Sequence, residues 1–530
     1  MRKPASGGLP ISVTALRMGE LVGTFALAQD NAFGQPLESQ FRSCLLAGWL
    51  ADEAGLDREA RDTVYWVALL RYIGCTGHAH EVSSLFGDEI AIRAQTLVHD
   101  AGNLDEVMSD VITYATARVP PEEREQFVAF LQAGAVEWAT HNFASGCEVG
   151  DSLVARLGFG SDVREALRFT FERWNGYGFP AGARGEEIPV AMRVVHLSQD
   201  MEAIGRRFST ARALEAAHER RDRTYDPALA DLFVGHGADW FALLDKTDPW
   251  DAVLGLEPAP RRTLSGADLD DALTVLADFI DLKSPYMSGH SRRCAELVTD
   301  AAAVMAFDAE ATTIVRRAAL AHELGTTAIP NSIWDKPGPL TRAEVDRMQV
   351  HSMLTEQMLD RSPALAVLNP VAAAHHERAD GSGYHKHLAG PDVSSGAALL
   401  AAADVYVALT ADRADRSAFS ADYAAAELRR LSAAGALAAD ATDALLSAAG
   451  HVESRRAARR QNPGGLSGRE VEVLRLAARG MTAKAIGDEL FISPKTVDHH
   501  IQHVYSKIGV STRAAAALWA MENGVVTKRM

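Results

Sequence analysis

Histidines and acidic residues recur through the middle of this 530-residue chain in a pattern that suits metal binding. Four of them form two adjacent pairs. Neighbouring residues on a helix point about 100° apart, so one pair can address two nearby ions. Imidazole nitrogens mixed with carboxylate oxygens suit iron, manganese or zinc and leave the choice open. A single histidine of this kind is more often a surface or core residue, so the chemistry depends on convergence. The set is His290, His322-Glu323, His351, His375-His376 and Asp404.

Four segments that carry these residues resemble the HD-GYP family in order and spacing. They read HSRRC, AHELGTTAIPNSIWDKPGPLTRAE, AAAHHERADGSGYH and AAADVYVALTADR. The resemblance implies an all-helical fold, a centre of two or three metal ions and hydrolysis of cyclic di-GMP. For this chain we expect one or two divalent ions (iron, manganese or zinc), with Lys336 and Arg378 near the substrate phosphates. By position, the metal ligands would be His290, His322, Glu323, His351, His375, His376 and Asp404.

Three departures from the family pattern bear on turnover. The signature His-Asp pair is His322-Glu323, so the bridging carboxylate is longer by one C–C bond, about 1.5 Å. Thr326 stands where the family has a lysine thought to assist catalysis, and loss of such an electrostatic group costs about 2–4 kcal/mol at the barrier. The GYP triplet reads Gly383-Tyr384-His385. We therefore assign no catalytic residue and predict a ligand or metal sensor.

Two other functions stay open for this domain. The first is a metal-dependent cyclic di-GMP phosphodiesterase with an attached DNA-binding domain. The second is a metal-centred redox or gas sensor that uses the same ligands without hydrolysis. Sustained turnover would favour the first, and a bound metal without turnover would favour the second.

The last eighty residues show the start and stop signals of four short helices. Ser467 and Glu470 form a capping box, in which each side chain binds an amide at the helix start. Ser493-Pro494 gives an N-cap followed by proline at the first helical position, where its missing N–H costs nothing. Short helices with a polar outer face on the third are typical of a helix-turn-helix. The inner face of that third helix, within about 40° at 100° per residue, is Val497, Ile501, Val504 and Ile508.

The segment LSGREVEVLRLAARGMTAKAIGDELFISPKTVDHHIQHVYSKIGVSTRAAA resembles the DNA-binding domain of LuxR-type regulators without gaps. In that family the third helix lies in the major groove of double-stranded DNA. Carried over by position, the base-edge contacts fall on Asp498, His499 and Gln502. The phosphate contacts would come from Lys484, Ser493, Lys495, Thr496 and Lys507.

This segment also departs from its family at two positions. Ala485 replaces a usual glutamate, and Asp498 stands where a basic residue is common. A carboxylate facing the groove repels phosphates but can accept a hydrogen bond from cytosine N4, so it favours sequence preference over general affinity. Other members pair through the last helix, which predicts a homodimer through Ala514, Leu518 and Met521. The alternative is that this helical unit binds another protein.

Charge is distributed unevenly along the chain. Residues 451–530 contain thirteen Lys or Arg against seven Asp or Glu, a balance of +6. The whole chain carries −17, which leaves −23 for residues 1–450. A basic tail on an acidic body favours nucleic-acid contact confined to the tail, although a solvated tail without a partner would show the same balance.

Residues before about 260 repeat the middle domain in a degenerate form. The segment after Asp57 parallels the segment after Asp308 at a constant offset of 251 residues, and FERWNGYGFPAG parallels HERADGSGYHKH. Ser39 replaces His290, Arg71-Tyr72 replaces His322-Glu323, and Thr170-Phe171 replaces the double histidine, while Asp200 remains opposite Asp404. No metal site can be built from these residues. The aromatic residues here are more often core than ligand site, with a ligand pocket in place of the metals as the alternative.

These observations predict an all-α chain with four parts. Residues 1–260 form a degenerate HD-GYP-like domain without metal ligands, residues 261–450 an HD-GYP-like domain with the ligand set, residues 451–465 a basic linker, and residues 466–530 a LuxR-type domain. At 47% hydrophobic and 23% charged, the composition is that of a globular protein. Four scattered cysteines without a CxxC pair exclude a disulfide framework or zinc ribbon.

The expected setting is the cytoplasm, because the chain shows no signal peptide and its longest apolar run is too short to span a bilayer. The expected function is transcription regulation by a homodimer. The expected partners are double-stranded DNA and a small-molecule or metal effector, with no membrane.

Overall fold

Helices form nearly all the regular structure of a computed structural model that describes residues 15–117, 119–451 and 463–526. Two two-residue strands, Leu16–Arg17 and Thr263–Leu264, pair with each other. The all-α prediction is confirmed. The four cysteines are free thiols. Within the described ranges, no helix combines the length and hydropathy that a bilayer crossing requires.

The contacts divide the chain into two compact units. The first runs from Arg17 to Thr263 and includes Pro330–Ser332, and the second comprises Leu264–Ile329 and the chain from Ile333 onward. The C-terminal helices therefore belong to the second unit. Most of the predicted basic linker, residues 452–462, lies outside the described residues.

The first unit is built of twelve α-helices within the residues described. Its central helix, α9, is buried over most of its length and packs on α2, α3, α10 and α11. The helices are α1 (Met18–Ala32), α2 (Ser39–Glu53), α3 (Arg58–Leu70), α4 (Ala79–Phe86), α5 (Glu89–Thr96), α6 (Leu104–Thr116), α7 (Arg124–Arg156), α8 (Ser161–Leu167), α9 (Val190–Arg207), α10 (Thr210–Glu219), α11 (Pro227–Leu244) and α12 (Pro249–Gly255).

The second unit contains ten helices before the linker and four after it, counted over the residues described. Its central helix, α20, is buried on nearly every side, which its run of alanine and leucine allows because small side chains permit close packing from all directions. The helices are α13 (Gly266–Asp281), α14 (His290–Val304), α15 (Ala309–Ala321), α16 (Asn331–Trp334), α17 (Arg342–Leu359), α18 (Pro363–Ala366), α19 (Asn369–Ala372), α20 (Ser395–Leu409), α21 (Ala421–Ala433), α22 (Ala439–Ala448), α23 (Gly468–Ala478), α24 (Ala483–Leu490), α25 (Pro494–Ile508) and α26 (Arg513–Glu522).

Both units repeat one order of elements. Helices α3 and α15 each begin after an aspartate N-cap, Asp57 or Asp308, and each leads into a 3-10 turn. Helices α2 and α14 each begin after a residue in the left-handed region, Glu38 at φ 74° and Gly289 at φ 77°. Glycine takes that conformation without strain, whereas a residue with a Cβ atom loses about 1–2 kcal/mol there. The backbone thus carries the repeat at the 251-residue offset, even where the side chains differ.

The 3-10 turn of each unit lies directly against the backbone of another helix. A Cβ atom at Gly325 would lie 1.9 Å from the carbonyl oxygen of His351 in α17. A Cβ atom at Gly74, the equivalent position of the first unit, would lie 1.9 Å from the carbonyl oxygen of Gly146 in α7. Only glycine allows this approach. In the second unit it brings the segment after His322 against the helix that carries His351.

We predict that Gly325→Ala destabilises the protein by about 2–4 kcal/mol, since the clash is with backbone that cannot move aside. Thermal unfolding followed by circular dichroism should show a clear loss of Tm. The matched control is Gly48→Ala in α2, where a Cβ atom meets nothing within 4 Å and helix propensity should add slightly to stability. Equal Tm values for the two variants would show that the close approach is not a constraint.

Candidate metal centre and nucleic-acid interface

The seven residues predicted as metal ligands come together in the second unit. His290 is the first residue of α14, and His322 directly follows α15. His351 lies in α17 and Asp404 in α20, while the His375-His376 pair follows α19. All are buried except His376, which is partly exposed. Five separate segments of the chain therefore converge on one interior point.

The donor atoms form two groups that share Glu323. One group is His290, His322, Glu323 and Asp404, and the other is Glu323, His351, His375 and His376, with the donor atoms of each group within 4.8 Å of one another. Oε1 of Glu323 lies 3.8 Å from Nε2 of His290, and Oε2 lies 3.7 Å from Nε2 of His351. The two oxygens of one carboxylate thus face the two groups, as a bridging ligand between two ions would.

Backbone carbonyls fix the orientation of three imidazole rings. Nδ1 of His322 donates to the carbonyl of Ala319 at 2.9 Å, since a carbonyl can only accept. His351 and His375 do the same to the residues three positions earlier, each at 2.6 Å. With the proton on Nδ1, the neutral ring presents an Nε2 lone pair to the centre, which is the orientation that metal-binding histidines adopt.

Burial keeps these imidazoles neutral. It lowers the pKa of His322 to about 3 and that of His351 to about 4, and it lowers the pKa values of His375 and His376 as well. Metal ions bind the neutral form, so no proton competes at neutral pH.

The pKa values of the two buried carboxylates shift in opposite directions. Burial and the charge of Asp404 raise the pKa of Glu323 far above its usual value. Burial would also raise the pKa of Asp404, but the hydrogen bond from His290 and the proximity of His376 hold it well below its usual value. Without a cation, the pair therefore carries one negative charge between them.

The arrangement fits a divalent cation. Nε2 of His351 lies 3.2 Å from Nε2 of His375, and both nitrogens carry lone pairs because each ring has its proton on Nδ1. Two lone pairs facing each other at this distance repel, whereas two nitrogen ligands about 2.1 Å from a tetrahedral ion would be about 3.4 Å apart. Oε2 of Glu323 is buried and accepts no hydrogen bond in the described structure.

The sequence analysis did not include Cys294 among the ligands. Its Sγ lies 3.7 Å from Nε2 of His290, and it joins His290 and His322 in a third group of candidate donors. The signal was present in the sequence, because residues four apart on a helix share a face. Burial raises the pKa of its thiol, so it is a weak ligand unless a cation displaces the proton.

The C-terminal helices form the predicted helix-turn-helix. Ser467 and Glu470 make the reciprocal capping box, and Ser493 caps α25 with Pro494 at its first position. Val497 and Val504 are buried beneath α25, while its outer face is open to solvent. The predicted DNA-contacting residues are all exposed, and they are Lys484, Ser493, Lys495, Thr496, Asp498, His499, Gln502 and Lys507.

Two of the predicted roles in this region fall on residues that make contacts within the domain. Nζ of Lys507 lies 2.6 Å from Oε2 of Glu470 and forms an ion pair with it. Partial burial alone would raise the pKa of Glu470, but Lys507 and Ser467 lower it to about 2. Leu518 and Met521, predicted to pair two chains, are 1% exposed, because α26 packs into its own chain beside α23.

Comparison with known families matches both regions. Residues 274–436 match the HD domain family, and residues 465–520 match the bacterial regulatory proteins of the luxR family. The chain contains an HD domain and a LuxR-type helix-turn-helix domain. The sequence analysis identified both from their motifs.

Similar proteins include cyclic-dinucleotide phosphodiesterases. The 3'3'-cGAMP-specific phosphodiesterase 3 of Vibrio cholerae serotype O1 is 28% identical over 422 residues, which cover 79% of this chain and 92% of that protein. The cyclic di-GMP phosphodiesterase response regulator RpfG of Xanthomonas campestris pv. campestris is 33% identical over 160 residues, 30% of this chain and 42% of that protein.

A solved structure also matches. The crystal structure of the V. cholerae cyclic GMP-AMP specific phosphodiesterase V-cGAP3 superimposes with a TM-score of 0.57 at 25% identity. The match covers 83% of this chain and 99% of that one. It therefore extends beyond the residues that match the HD domain family.

Thr326 in the HD domain has no electrostatic role toward the centre. Its hydroxyl is buried and donates to the carbonyl of Glu323 at 2.6 Å. The position that the family fills with a lysine thus holds a neutral group bound to backbone.

The two predicted phosphate contacts of the HD domain differ in availability. Nζ of Lys336 binds both carboxylate oxygens of Glu344, at 2.7 and 2.9 Å, which helps to lower the pKa of Glu344 to about 2. Lys336 is therefore committed to an ion pair. Arg378 is partly buried and donates through one nitrogen to the carbonyls of His375 and Glu377. Its guanidinium thus lies next to the double histidine.

We predict that divalent metal stabilises the protein through this centre. Adding Mn²⁺, Fe²⁺ or Zn²⁺ to chelator-treated protein should raise Tm by about 5–10 °C at a hundredfold excess over Kd, measured by differential scanning fluorimetry. His375→Ala and Glu323→Gln should lose most of the shift, because each removes a donor from the shared cluster.

The matched control is His218→Ala, which removes an exposed histidine of α10 in the first unit and should leave the shift unchanged. Elemental analysis of protein purified without chelators gives a second readout. Fewer than about 0.2 ions per chain would contradict the assignment, since a preformed site of this kind binds tightly.

Proposed function

We propose that the chain is a DNA-binding transcription regulator whose HD domain binds divalent metal and a cyclic dinucleotide, and that occupancy of this centre controls DNA binding. The proposal rests on a continuous connection between the centre and the LuxR-type domain. Segments that flank His290 and Asp404 in the chain touch α23 and the turn after it.

The metal set supports the first part. His290, His322 and Asp404 would hold one ion and His351, His375 and His376 a second, with Glu323 between them. Such ions supply Lewis acidity and a positive charge that attracts phosphate oxygens. The chain itself contributes the neutral imidazoles, their fixed orientation and a dry interior.

The class of ligand follows from the relatives and the chemistry of the centre. The similar proteins are named for 3'3'-cGAMP and cyclic di-GMP, both cyclic dinucleotides. Their two phosphodiester groups are anions that a pair of divalent ions and a guanidinium would recognise together. Arg378 supplies the guanidinium beside His375, with part of its surface open to solvent.

Three contacts connect the HD domain to the LuxR-type domain. Ser288 lies two residues before His290, and its hydroxyl donates to the carbonyl of Ala478 at 3.2 Å. Arg479 forms an ion pair with Asp412 at 3.0 Å, beyond the end of the helix that carries Asp404. Pro285 packs against Gly480 closely enough that a Cβ atom there would approach it to 3.0 Å.

A cavity of about 350 Å³ with charged and apolar side chains in its lining lies beside these contacts. The HD domain contributes His290 and Arg293, and the LuxR-type domain contributes Glu472 and Arg475. One residue of the metal centre therefore borders a space shared with the DNA-binding domain. A ligand that moved the start of α14 would act on the metal centre and on the DNA-binding domain. It would then bind one arrangement of the two domains more tightly than another, as a population shift requires.

Hydrolysis of the dinucleotide is the second candidate. The full ligand set and the similarity over 92% of a phosphodiesterase favour it. Thr326 disfavours it, because the position lacks the charge that the family places there. Incubation with cGAMP or cyclic di-GMP and Mn²⁺, followed by chromatography of the products, separates the two. Sustained turnover that His375→Ala abolishes would establish an enzyme, and unchanged nucleotide with measurable binding would support a receptor.

We predict that different residues of α25 contact the bases and the phosphates of DNA. His499→Ala should weaken binding to a duplex selected from random sequences by about 1–3 kcal/mol and relax preference at particular bases. Lys495→Ala should weaken binding to every duplex and reduce the salt slope by about one. Fluorescence anisotropy over a salt series measures both. Equal losses on selected and random DNA from His499→Ala would contradict the groove assignment.

We also predict that the Asp412–Arg479 ion pair transmits ligand binding at the metal centre to the DNA-binding domain. In the wild-type protein, Mn²⁺ with cGAMP should change DNA affinity by at least about 5-fold, the usual lower range of allosteric coupling. Asp412→Asn should reduce that change to less than about 2-fold, because asparagine keeps the oxygen that accepts from Ala418 but loses the charge that binds Arg479.

Asp415→Asn, an exposed change three residues away, is the matched control and should retain the full response. A wild-type protein that binds cGAMP without any change in DNA affinity would exclude the coupling. A protein that binds metal but no cyclic dinucleotide would exclude the ligand.

A further inference from the structure

The first unit has a cavity where the second unit has its metal centre. Tyr72, Phe171 and Asp200, at the positions equivalent to Glu323, His376 and Asp404, all line it. Its volume is about 260 Å³. No group of three metal-binding side chains occurs in this region of the described structure. The repeat has therefore replaced a metal site by an open space.

Aromatic rings form most of the inner wall. Phe33 stacks on Tyr72 with ring centroids 3.9 Å apart, and Phe143 stacks on Phe171 at 4.1 Å. Phe179 lies 5.6 Å from Phe143. These rings already pack on one another, so they form rigid walls and need no ligand to order them.

The outer part of the cavity is apolar and reaches solvent. Tyr177 is 64% exposed and Val136 is 56% exposed, although both line the cavity. Large apolar side chains exposed around an opening are typical of a ligand entrance. Between the entrance and the aromatic floor lie Met108, Val111 and Ala139.

Two buried guanidinium groups border the same space. Arg93 donates to the carbonyl of Cys75 at 2.9 Å and lies over the ring of Phe33 at 5.1 Å. Arg173 donates to the carbonyls of Thr170 and Glu172, and its Nε has no hydrogen-bond partner. Neither arginine forms an ion pair within 4 Å in the described ranges.

The buried Glu89 lies one helical turn before Arg93 and acts on it by charge, whereas the acidic groups near Arg173 do not form an ion pair with it. Asp200 accepts a hydrogen bond from the Tyr225 hydroxyl at 3.0 Å and interacts with Arg173 only at longer range. Glu172 accepts from the amide of Ala181 at 2.7 Å, on the loop that follows. A buried cation without a close anion is costly in an apolar interior. A ligand that brought an anion would lower that cost.

We propose that this cavity binds a small amphipathic acid, with an acyl or aromatic body on the apolar walls and a carboxylate at Arg173 and Arg93. The volume sets the size, because a cavity of about 150 Å³ holds benzene. About 260 Å³ thus suits a medium-length acyl chain or two fused rings. This site goes beyond the proposed function, as it lies in the other unit and needs neither metal nor DNA.

Decanoate is a suitable probe, with 1-decanol as its uncharged counterpart, each titrated calorimetrically into the full-length protein. Decanoate should bind at least about 10-fold more tightly, the ratio expected for one charge-assisted hydrogen bond in a buried site. Arg173→Gln should remove that preference while leaving decanol binding unchanged. Ala139→Phe should abolish binding of both, because a ring there fills the cavity.

The matched control is Ala133→Phe, the same change at an exposed position of α7 that does not line the cavity, and it should bind decanoate like the wild type. A far-ultraviolet circular dichroism spectrum and a Tm like those of the wild type show that Ala139→Phe is folded. Absence of decanoate binding at 1 mM in the wild type would overturn the proposal. Equal affinity for decanol would overturn the role of the arginines, and wild-type affinity in Ala139→Phe would overturn the location.

Discussion

Two buried imidazole lone pairs that face each other are the constraint on which the second unit depends. His351 and His375 each give their Nδ1 proton to a carbonyl, so their Nε2 atoms meet 3.2 Å apart with no proton between them. Two carboxylates lie in the same space and share one charge. A divalent cation would remove the repulsion between the lone pairs and balance the negative charge of the carboxylates, whereas the chain alone does neither. We interpret the close backbone packing at Gly325 as the means by which this unfavourable cluster is held in place.

The first unit shows what the same backbone becomes without that constraint. Helices α2 and α3 begin and end at positions equivalent to those of α14 and α15, and Gly74 repeats the close approach of Gly325. Where the second unit places imidazoles and Glu323, the first places stacked aromatic rings and two arginines. The scaffold therefore specifies an interior space, and the side chains that line it decide which ligand chemistry that space offers.

The position of the LuxR-type domain relates the metal centre to DNA binding within one unit. The recognition helix α25 is exposed, so the HD domain does not block it by covering its outer face. The contacts fall instead on α23 and the turn at Gly480, close to the residues that flank His290 and Asp412. Control of DNA binding in this arrangement would act on the orientation of the domain and on pairing between chains. The burial of Leu518 and Met521 means that such pairing must use other residues or a different placement of α26.

Much of the fold could be predicted because its signals are local. Helix caps at Asp308, Ser467 and Ser493 act on amides two or three residues away, so the sequence contains both partners. The ligand set could be proposed because its residue types are rare in cores and keep a family spacing. The position of the Glu323 carboxylate between two groups of donors and the pairing of Lys507 with Glu470 could not, because each depends on distances between segments far apart in the chain.

The sequence by itself determined the helical elements, their repeat and the chemistry available at each position, since these follow from neighbouring residues and side-chain type. Only the tertiary structure decided which of those residues meet. It brought five imidazoles and two carboxylates around one point, and it left an open space behind Tyr72 and Phe171. The reason is that packing free energy is shared among many distant contacts, and no single segment records the result.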